Sequence, residues 1–241
     1  MANNAQIEKA YNAIYDYVMN KCENKDFYNA ALKYDIKNLK KATLHFPQDE
    51  LYEVMLSLKE TIQKAVAKES GNGNLRKAML DVLKRTNGSR PLLQKAYEED
   101  GYTMVCDSYV FIRTKRNVDI PKHENGEQWL NWKGFMPKFE EMQEVSFPSL
   151  SEIKEHIKLN ASNPRFNEGY GKQKITFYDI MDDNGTILTR INAKYLLNML
   201  EAMSGTDYKC YIGKGEKSRT SVVCIENTDG EYAFACPMRI S

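Results

Sequence analysis

The residue types that most often perform catalysis or bind metals are few in this chain and lie far apart. The 241-residue sequence has three histidines, His45, His123 and His156. No two of them have the short spacing at which one helix or hairpin presents a pair of ligands. The sequence also lacks a glycine-rich phosphate loop and a serine nucleophile elbow. We therefore predict no enzymatic activity and no cofactor, although a site assembled from distant residues stays open.

Five cysteines are scattered along the chain without the close pairs that zinc or a redox dithiol requires. Cys210, Cys224 and Cys236 fall on predicted strands, which is typical of small buried hydrophobic side chains. The N-terminal residues lack the pattern of a signal peptide, and no run of about 18 apolar residues could span a membrane. We therefore expect a cytoplasmic protein with reduced thiols and no membrane partner.

Three carboxylates near one turn, Asp179, Asp182 and Asp183, invite comparison with a metal site. Their spacing does not match that of a calcium-binding loop. They precede or flank Asn184-Gly185, a strong hairpin signal because both residues tolerate the positive φ of a tight primed turn. We interpret them as turn carboxylates and predict no bound metal.

The composition is that of a soluble globular protein, with 42% hydrophobic and 28% charged residues. The 34 basic and 33 acidic residues give a net charge of +1. This balance provides no global attraction to nucleic acid or membrane, so any such contact needs a local patch. This charge balance argues against a histone-like or ribosomal role.

Helical periodicity continues from about Gln6 to Lys68, in three segments with apolar residues three or four positions apart. Three helices of this size can bury one another's apolar stripes, which predicts a helical bundle over residues 1–70. A helix-turn-helix reading stays open, but the segment is not strongly basic. Glycines in the polar stretch 69–74 disfavour helix and strand, and we place a domain boundary there.

A further helix is predicted from about Leu75 to Arg85, with an apolar side and a cluster of cations. The cations are Arg76, Lys77, Lys84 and Arg85. Positive charge on a helix surface releases counterions when it meets phosphates, so these four are our candidate residues for binding duplex DNA. A solvated face is the alternative.

Beyond residue 88 the apolar period changes from near four to near two, which indicates strands. We predict a strand over Pro91–Ala96, a turn over Glu98–Gly101, and a β-rich run over Tyr102–Arg113 that breaks near Asp107-Ser108. The segment Asn117–Phe147 is irregular and contains Trp129 and Trp132. The two tryptophans either form a binding lip for a partner or pin the loop to the core, and both readings stay open.

The remaining residues alternate between clear helix and strand signals. Ser149 or Ser151 caps a short helix that ends near Lys158, and Lys174–Ile180 alternates as a strand. The terminal stretch then predicts a strand, an amphipathic helix capped by Asn192, and three strands separated by glycine-containing turns.

Parts of this terminal stretch resemble the bacterial DNA sliding clamp, the β subunit of the replicative polymerase. Ile187–Leu200 is similar to the strand and helix that open the last half of that protein's third domain. Asp229–Tyr232, followed by Pro237-Met-Arg-Ile240, is similar to its closing strand and tail. The stretch from Arg90 to Val110 resembles the strands after the first helix of a clamp domain. About half of the chain takes part in the resemblance.

The resemblance implies an α+β fold in which residues 74–241 form one DNA-clamp-like domain after the helical bundle. Its two strand-helix-three-strand repeats would span about 74–120 and 174–241, joined by an irregular connection over 121–173. The chain departs from the family in two respects. A clamp subunit has three such domains, whereas this chain has room for one. A clamp subunit also has no helical segment before its first domain, whereas this chain does.

The resemblance also implies a non-catalytic role, because clamp domains close into a ring around DNA and hold polymerases by a short peptide. The clamp tail contributes to the peptide groove, and Pro237, Met238 and Arg239 match that tail. Together with Trp129 and Trp132 they are our candidate residues for binding a partner peptide. The alternative is that Phe234–Ile240 is an edge strand packed on the sheet.

The resulting hypothesis is a sliding-clamp-like accessory protein of DNA replication, of phage or mobile-element origin. Its expected partners are duplex DNA, a polymerase or another replication protein bound through a short peptide, and further copies of the same chain. The alternative is an interaction or regulatory protein that keeps the clamp fold without encircling DNA.

Overall fold

The computed structural model describes residues 60, 63–64, 67–68, 70–86, 90–124, 129–170 and 173–238. The chain divides into two compact units, Met1–Gly73 and Asn74–Ser241. The predicted helical bundle over 1–70 lies almost entirely outside the described residues and stays a prediction.

From residue 73 onward, the described part of the chain forms three α-helices and ten strands. The helices are α1 (Gly73–Arg85), α2 (Leu150–Asn160) and α3 (Ala193–Ala202). The first strands are β1 (Tyr97–Glu99), β2 (Tyr102–Cys106), β3 (Val110–Thr114), β4 (Met142–Val145) and β5 (Asn167–Tyr170). The others are β6 (Gln173–Met181), β7 (Ile187–Asn192), β8 (Tyr208–Gly213), β9 (Val223–Asn227) and β10 (Tyr232–Ala235).

The strands form a large antiparallel sheet of order β1-β2-β3-β10-β9-β8-β4 and a small one of order β5-β6-β7. The predicted mixture of helices with a large antiparallel sheet is confirmed. Apart from β4, the large sheet has three strands from each predicted half, and the last strands of the two halves pair in its middle. A two-fold repeat would produce this order, but no strand precedes α1 among the described residues. The repeat itself stays a prediction.

Helices cover one face of the large sheet. Four residues of the predicted apolar stripe of α3 are at most 1% exposed, namely Ala193, Leu196, Leu200 and Met203, whereas Leu197 is half-buried. They share a core with Met79 and Val82 of α1. Each large apolar side chain buried in this way contributes about 1.5–3 kcal/mol of burial free energy.

Aromatic side chains cover the opposite face. Phe111 lies at the centre, stacked on Phe234 with ring centroids 4.9 Å apart. Trp132 also stacks on the Phe111 ring, with centroids 6.4 Å apart, and the Trp129 ring lies at a tilted angle to Phe111, again with centroids 6.4 Å apart. The connection that carries the two tryptophans therefore closes the second face of the sheet.

Local signals fix the α2 helix and the β6–β7 hairpin as predicted. The Ser149 hydroxyl accepts a hydrogen bond from the Glu152 N–H, and the Glu152 carboxylate accepts one from the Ser149 N–H, which completes a capping box. At the hairpin, Asp182 Oδ1 accepts hydrogen bonds from the N–H groups of Asn184 and Thr186. The interpretation of Asp182 as a turn carboxylate is confirmed.

One prediction near the first strands is wrong, and a second, the turn, is confirmed with narrower bounds. Pro91–Leu93, predicted as a strand, is a 3-10 turn, because Leu93 and Gln94 donate to carbonyls only three residues back. The predicted turn over Glu98–Gly101 includes the end of β1. The actual turn is Asp100-Gly101, where φ values of 53° and 76° match the positive φ of a primed hairpin turn.

The segment predicted to be irregular contains a strand. Met142–Val145 pairs with β8 at the edge of the large sheet. Its pattern was weak because Gln143 and Glu144 are polar and the strand is only four residues long. An edge strand needs only one buried side chain here, Met142.

A buried carboxylate joins the end of β3 to the turn before β10. Glu231 is 1% exposed and accepts hydrogen bonds from the Thr114 hydroxyl and the Lys115 N–H. Arg116 pairs with it at 3.1 Å and donates to the carbonyl of Ala202 at the end of α3. Burial acts to raise the pKa of Glu231, but the Thr114 hydrogen bond and the Arg116 charge outweigh it, so the pKa lies below its ordinary value.

We predict that Glu231→Ala destabilises the protein by about 3–5 kcal/mol, because it leaves Arg116 without its buried partner. The stabilisation from a lowered carboxyl pKa is complete above roughly pH 4.3 and is lost as the pH falls through the folded-state value. The stability difference between wild type and Glu231→Gln, measured by urea unfolding, should therefore be largest near pH 7 and shrink below pH 4. A stability difference between the two proteins that does not change with pH would contradict the lowered pKa of Glu231.

Candidate partner-docking surface

The C-terminal tail leaves the large sheet after β10 and crosses to the small one. The Cys236 N–H donates to the Tyr109 carbonyl at 2.8 Å, and the Met238 N–H donates to the Arg190 carbonyl at 2.7 Å. Pro237, between them, has no N–H to leave unsatisfied. The edge-strand alternative is wrong for Phe234, which lies in the central strand β10, whereas Met238 forms a single antiparallel bridge with Arg190 on β7. Arg239 lies outside the described residues.

Two tyrosines and an arginine lie beside this tail. Tyr109, in the β2–β3 turn, is 55% exposed and stacks on Tyr195 of α3 with ring centroids 6.0 Å apart. The Arg85 guanidinium lies 4.9 Å from the centre of the Tyr195 ring. Pro237 and Met238 are half-buried. We call Arg85, Tyr109, Tyr195, Pro237 and Met238 the tail surface.

One buried aspartate positions this group. Asp107, 6% exposed, accepts hydrogen bonds from the N–H groups of Tyr109 at 2.9 Å and Val110 at 2.6 Å. Its other oxygen pairs with Arg85 Nε, while Arg85 Nη1 donates to the Asn198 amide oxygen at 2.8 Å. The turn is left-handed at Ser108, where φ is 81°. Asp107 thus fixes the turn that presents Tyr109 and the guanidinium beside Tyr195.

The tail surface is aromatic, and its one cation, Arg85, is paired with the buried Asp107. Burial raises the pKa of the Tyr195 hydroxyl, and burial likewise raises the pKa of the Cys236 thiol, so both are neutral near pH 7. Arg90 is exposed and hydrogen-bonds to Ser108, next to Tyr109. Such a surface can hold an apolar or aromatic side chain together with an acidic one. A thiol with a raised pKa is a poor nucleophile.

The structure places the four predicted DNA-binding cations in different surroundings. Arg76 is 5% exposed and donates to the Asp119 carbonyl at 3.0 Å, so its place in an exposed cationic patch is wrong. Lys77 pairs with Glu201 at 2.7 Å, and Arg85 belongs to the tail surface. Lys84 is exposed. DNA binding by this helix stays a prediction.

Glu201 attracts the side chains of two lysines on the helical face. Its side chain is fully buried on α3, and one oxygen, Oε1, faces both Lys77 of α1 at 2.7 Å and Lys154 of α2 at 3.4 Å. Among the residues that the structure describes, the other oxygen has no hydrogen-bond partner. The two ammonium groups therefore neutralise a buried carboxylate and link three helices.

The tryptophans pin the connection to the sheet. Trp132 is 8% exposed and its Nε1–H donates to the Glu99 carboxylate at 2.5 Å. Trp129 is half-buried, stacks on Tyr97 at 5.1 Å and donates to the Leu92 carbonyl at 2.9 Å. The prediction that Trp132 forms a partner-binding lip is wrong, because its ring is needed in the aromatic core.

Tyr109, Tyr195 and Asp107 were not identified from the sequence as parts of a site. The break predicted at Asp107-Ser108 was the available signal, since an aspartate at a strand break commonly accepts hydrogen bonds from the turn. Cys210 and Cys224 are buried as predicted for small hydrophobic side chains, whereas Cys236 is half-buried and lies just after the end of β10. Within the described ranges, no three His, Cys, Asp or Glu side chains cluster as metal ligands would. No helix in the same ranges has the length and apolarity to cross a membrane.

No protein-family model and no curated protein sequence matches the chain. Among solved structures, it is similar to the Helicobacter pylori beta clamp bound to a DNA ligase peptide. That match has a TM-score of 0.43 and 13% identity, and it covers 69% of this chain and 63% of the clamp.

The beta subunit of DNA polymerase III from Thermotoga maritima is a second similar structure, with a TM-score of 0.32 and 17% identity. The match covers 58% of this chain and 42% of that subunit. The chain thus spans less than two thirds of either protein. The solved structures that it resembles are bacterial beta clamps, but TM-scores below 0.5 do not assign it their fold or function.

Proposed function

We propose that this protein is a non-catalytic, clamp-like accessory protein that holds a short peptide of a replication protein on the tail surface. The observation that carries the proposal is the bridged tail. Its backbone is fixed on both sides of Pro237, by Tyr109 and by Arg190, while Met238 keeps part of its surface exposed. A docking site needs a fixed backbone with accessible side chains.

Met238 and Tyr109 of the tail surface and the neighbouring Arg90 each have a part in binding. The Met238 thioether is flexible and polarisable, so it adapts to an apolar side chain of the peptide. Tyr109 offers a large exposed ring at a small cost in conformational entropy. Arg90, which is exposed beside the tail surface, supplies charge for an acidic residue of the peptide. None of these groups is required to donate or accept a proton in a reaction.

We predict that Tyr109→Ala and Met238→Ala each weaken peptide binding by about tenfold or more, as expected of aromatic and apolar anchors. The measurement is fluorescence anisotropy with a labelled DNA ligase peptide of the kind seen on the Helicobacter pylori clamp. Leu92→Ala is the matched control, since Leu92 is 51% exposed and lies outside the tail surface. The Leu92→Ala variant should bind the peptide with an affinity within about twofold of wild type.

Deletion of residues 237–241 provides a second arm of this test. The truncated protein should remain folded, which its thermal unfolding midpoint checks, and it should no longer bind the peptide. Peptide affinity that survives the deletion unchanged would overturn the assignment of the tail surface as the docking site.

Contact with duplex DNA is a second candidate activity, favoured by exposed cations on α1 and α2. Lys84 and Lys158 are exposed on these two helices. Because each lost phosphate contact lowers the salt slope of binding by about 0.9, Lys84→Glu with Lys158→Glu should reduce that slope by roughly 2. Lys138→Glu is the control, since Lys138 is 71% exposed in the connection that carries the tryptophans. An unchanged slope in the double variant would remove this helical face from DNA binding.

A ring around DNA also requires that several copies associate. If the protein encircles DNA, light scattering at micromolar concentration should give the mass of a closed oligomer. A stable monomer would favour the alternative, a clamp-like interaction protein that does not encircle DNA.

A further inference from the structure

The strand β6 has one edge that is only half used. Gln173–Thr176 pairs with β5, whereas Phe177–Met181 pairs with β7 on the opposite edge. The chain before β5 forms a 3-10 turn at Pro164–Phe166, which contacts β6 without pairing with it as a strand. In the described part of the chain, no strand therefore pairs with the β5-side edge of Phe177–Met181, which we call the open edge.

A side-chain hydrogen bond shows which backbone groups face the open edge. His156 Nε2 lies 2.8 Å from the Phe177 carbonyl oxygen, so this nitrogen carries the proton and donates it. His156 belongs to α2 and not to β7, so the Phe177 carbonyl points away from β7. Because backbone groups alternate along a strand, the N–H and C=O of Asp179 point to the same edge. They are available to an incoming strand.

A pocket of about 320 Å³ lies beside the open edge. Its walls are aromatic: the His156 ring meets the rings of Phe166 and Tyr178 edge-on, at 5.3 Å and 5.1 Å. Met181, 52% exposed, and Ser146 lie at its rim. The pocket can take one or two apolar side chains.

The charges around the pocket are mostly acidic. Burial raises the pKa of the Tyr178 hydroxyl, and the nearby charge of Glu152 raises it further, which places that carboxylate close to the pocket wall. Asp182 and Asp183 follow Met181 directly. Two cations lie on this side: Arg165, 5.8 Å from the centre of the Phe166 ring, and Arg190, which pairs with Asp179 at 2.7 Å. A ligand with basic residues would be favoured here.

We propose that the open edge of β6 binds an extended segment of a partner protein as an added strand. An apolar side chain of that segment fills the aromatic pocket, and adjacent lysines or arginines face Glu152, Asp182 and Asp183. Main-chain hydrogen bonds to Asp179 supply affinity, and the pocket and its acidic rim supply specificity. This site is separate from the tail surface and does not depend on the function proposed for it.

Three features that occur together on this edge favour an extended peptide as the ligand. A free strand edge offers a donor and an acceptor in the register of a β-ladder, which a helix cannot use. The pocket lies on that edge, so alternate side chains of an added strand can reach it. The acidic rim disfavours nucleic acid, whose phosphates would be repelled.

The experiment selects random twelve-residue peptides displayed on phage against the full-length protein. We expect enriched peptides to combine an apolar residue with neighbouring basic residues. Two variants test the location. Phe166→Ala removes a pocket wall, and Ser146→Trp fills the pocket without removing a buried contact. Each should weaken the selected peptides at least about tenfold. Leu159→Ala, on the same helix as His156 and 69% exposed, is the control and should change affinity less than about twofold.

N-methylation of the best peptide tests the added strand. Methyl groups on alternate backbone nitrogens should abolish binding in one register and leave it nearly unchanged in the other, because only every second N–H faces β6. Equal effects in both registers, no enrichment at all, or full binding to both pocket variants would overturn the proposal. Self-association of the full chain that Ser146→Trp abolishes would overturn it too, by assigning the open edge to a second copy.

Discussion

The antiparallel pairing of β3 with β10 is the interaction on which the rest of the second unit depends. It joins strands from the two ends of that unit at four positions, from Val110↔Ala235 to Arg113↔Tyr232. Along these strands alternate residues face opposite sides: Ile112 and Ala233 join the helical core, whereas Phe111 and Phe234 join the aromatic core. Because both faces are apolar at the centre of the sheet, both must be covered.

The need to cover both faces decides where function can reside. The helices occupy one face and the tryptophan-bearing connection occupies the other, so the middle of the sheet is closed to partners. What remains accessible are the ends and edges of the strands. The bridged tail lies at the end of β10, and the open edge lies on the small sheet. Both candidate sites use backbone hydrogen bonding to fix or receive an extended chain, which edges alone can provide.

Local signals made the secondary structure largely predictable, but not the contacts between distant residues. Ser149, Asn192 and Asn184-Gly185 act within a few residues of their own positions, and each was identified from the sequence. The 3-10 turn at Pro91 was missed because an apolar run of that length does not by itself distinguish a strand. Tyr195 was missed because its role depends on Tyr109 and Arg85, and no periodicity relates those positions. The buried Arg76 shows the same limit, since its partner is a carbonyl far along the chain.

The buried carboxylate of Glu201 bears on whether the helical face serves DNA. A buried ionised carboxylate costs several kcal/mol unless cations are fixed beside it, and here Lys77 and Lys154 meet that requirement. Cations directed at an internal acid attract external phosphates less than free cations do, because their fields partly cancel. A helix that lines a DNA channel would gain from an uncharged residue at position 201. The presence of glutamate there gives these lysines a structural task, which weighs toward an interaction protein rather than an encircling ring.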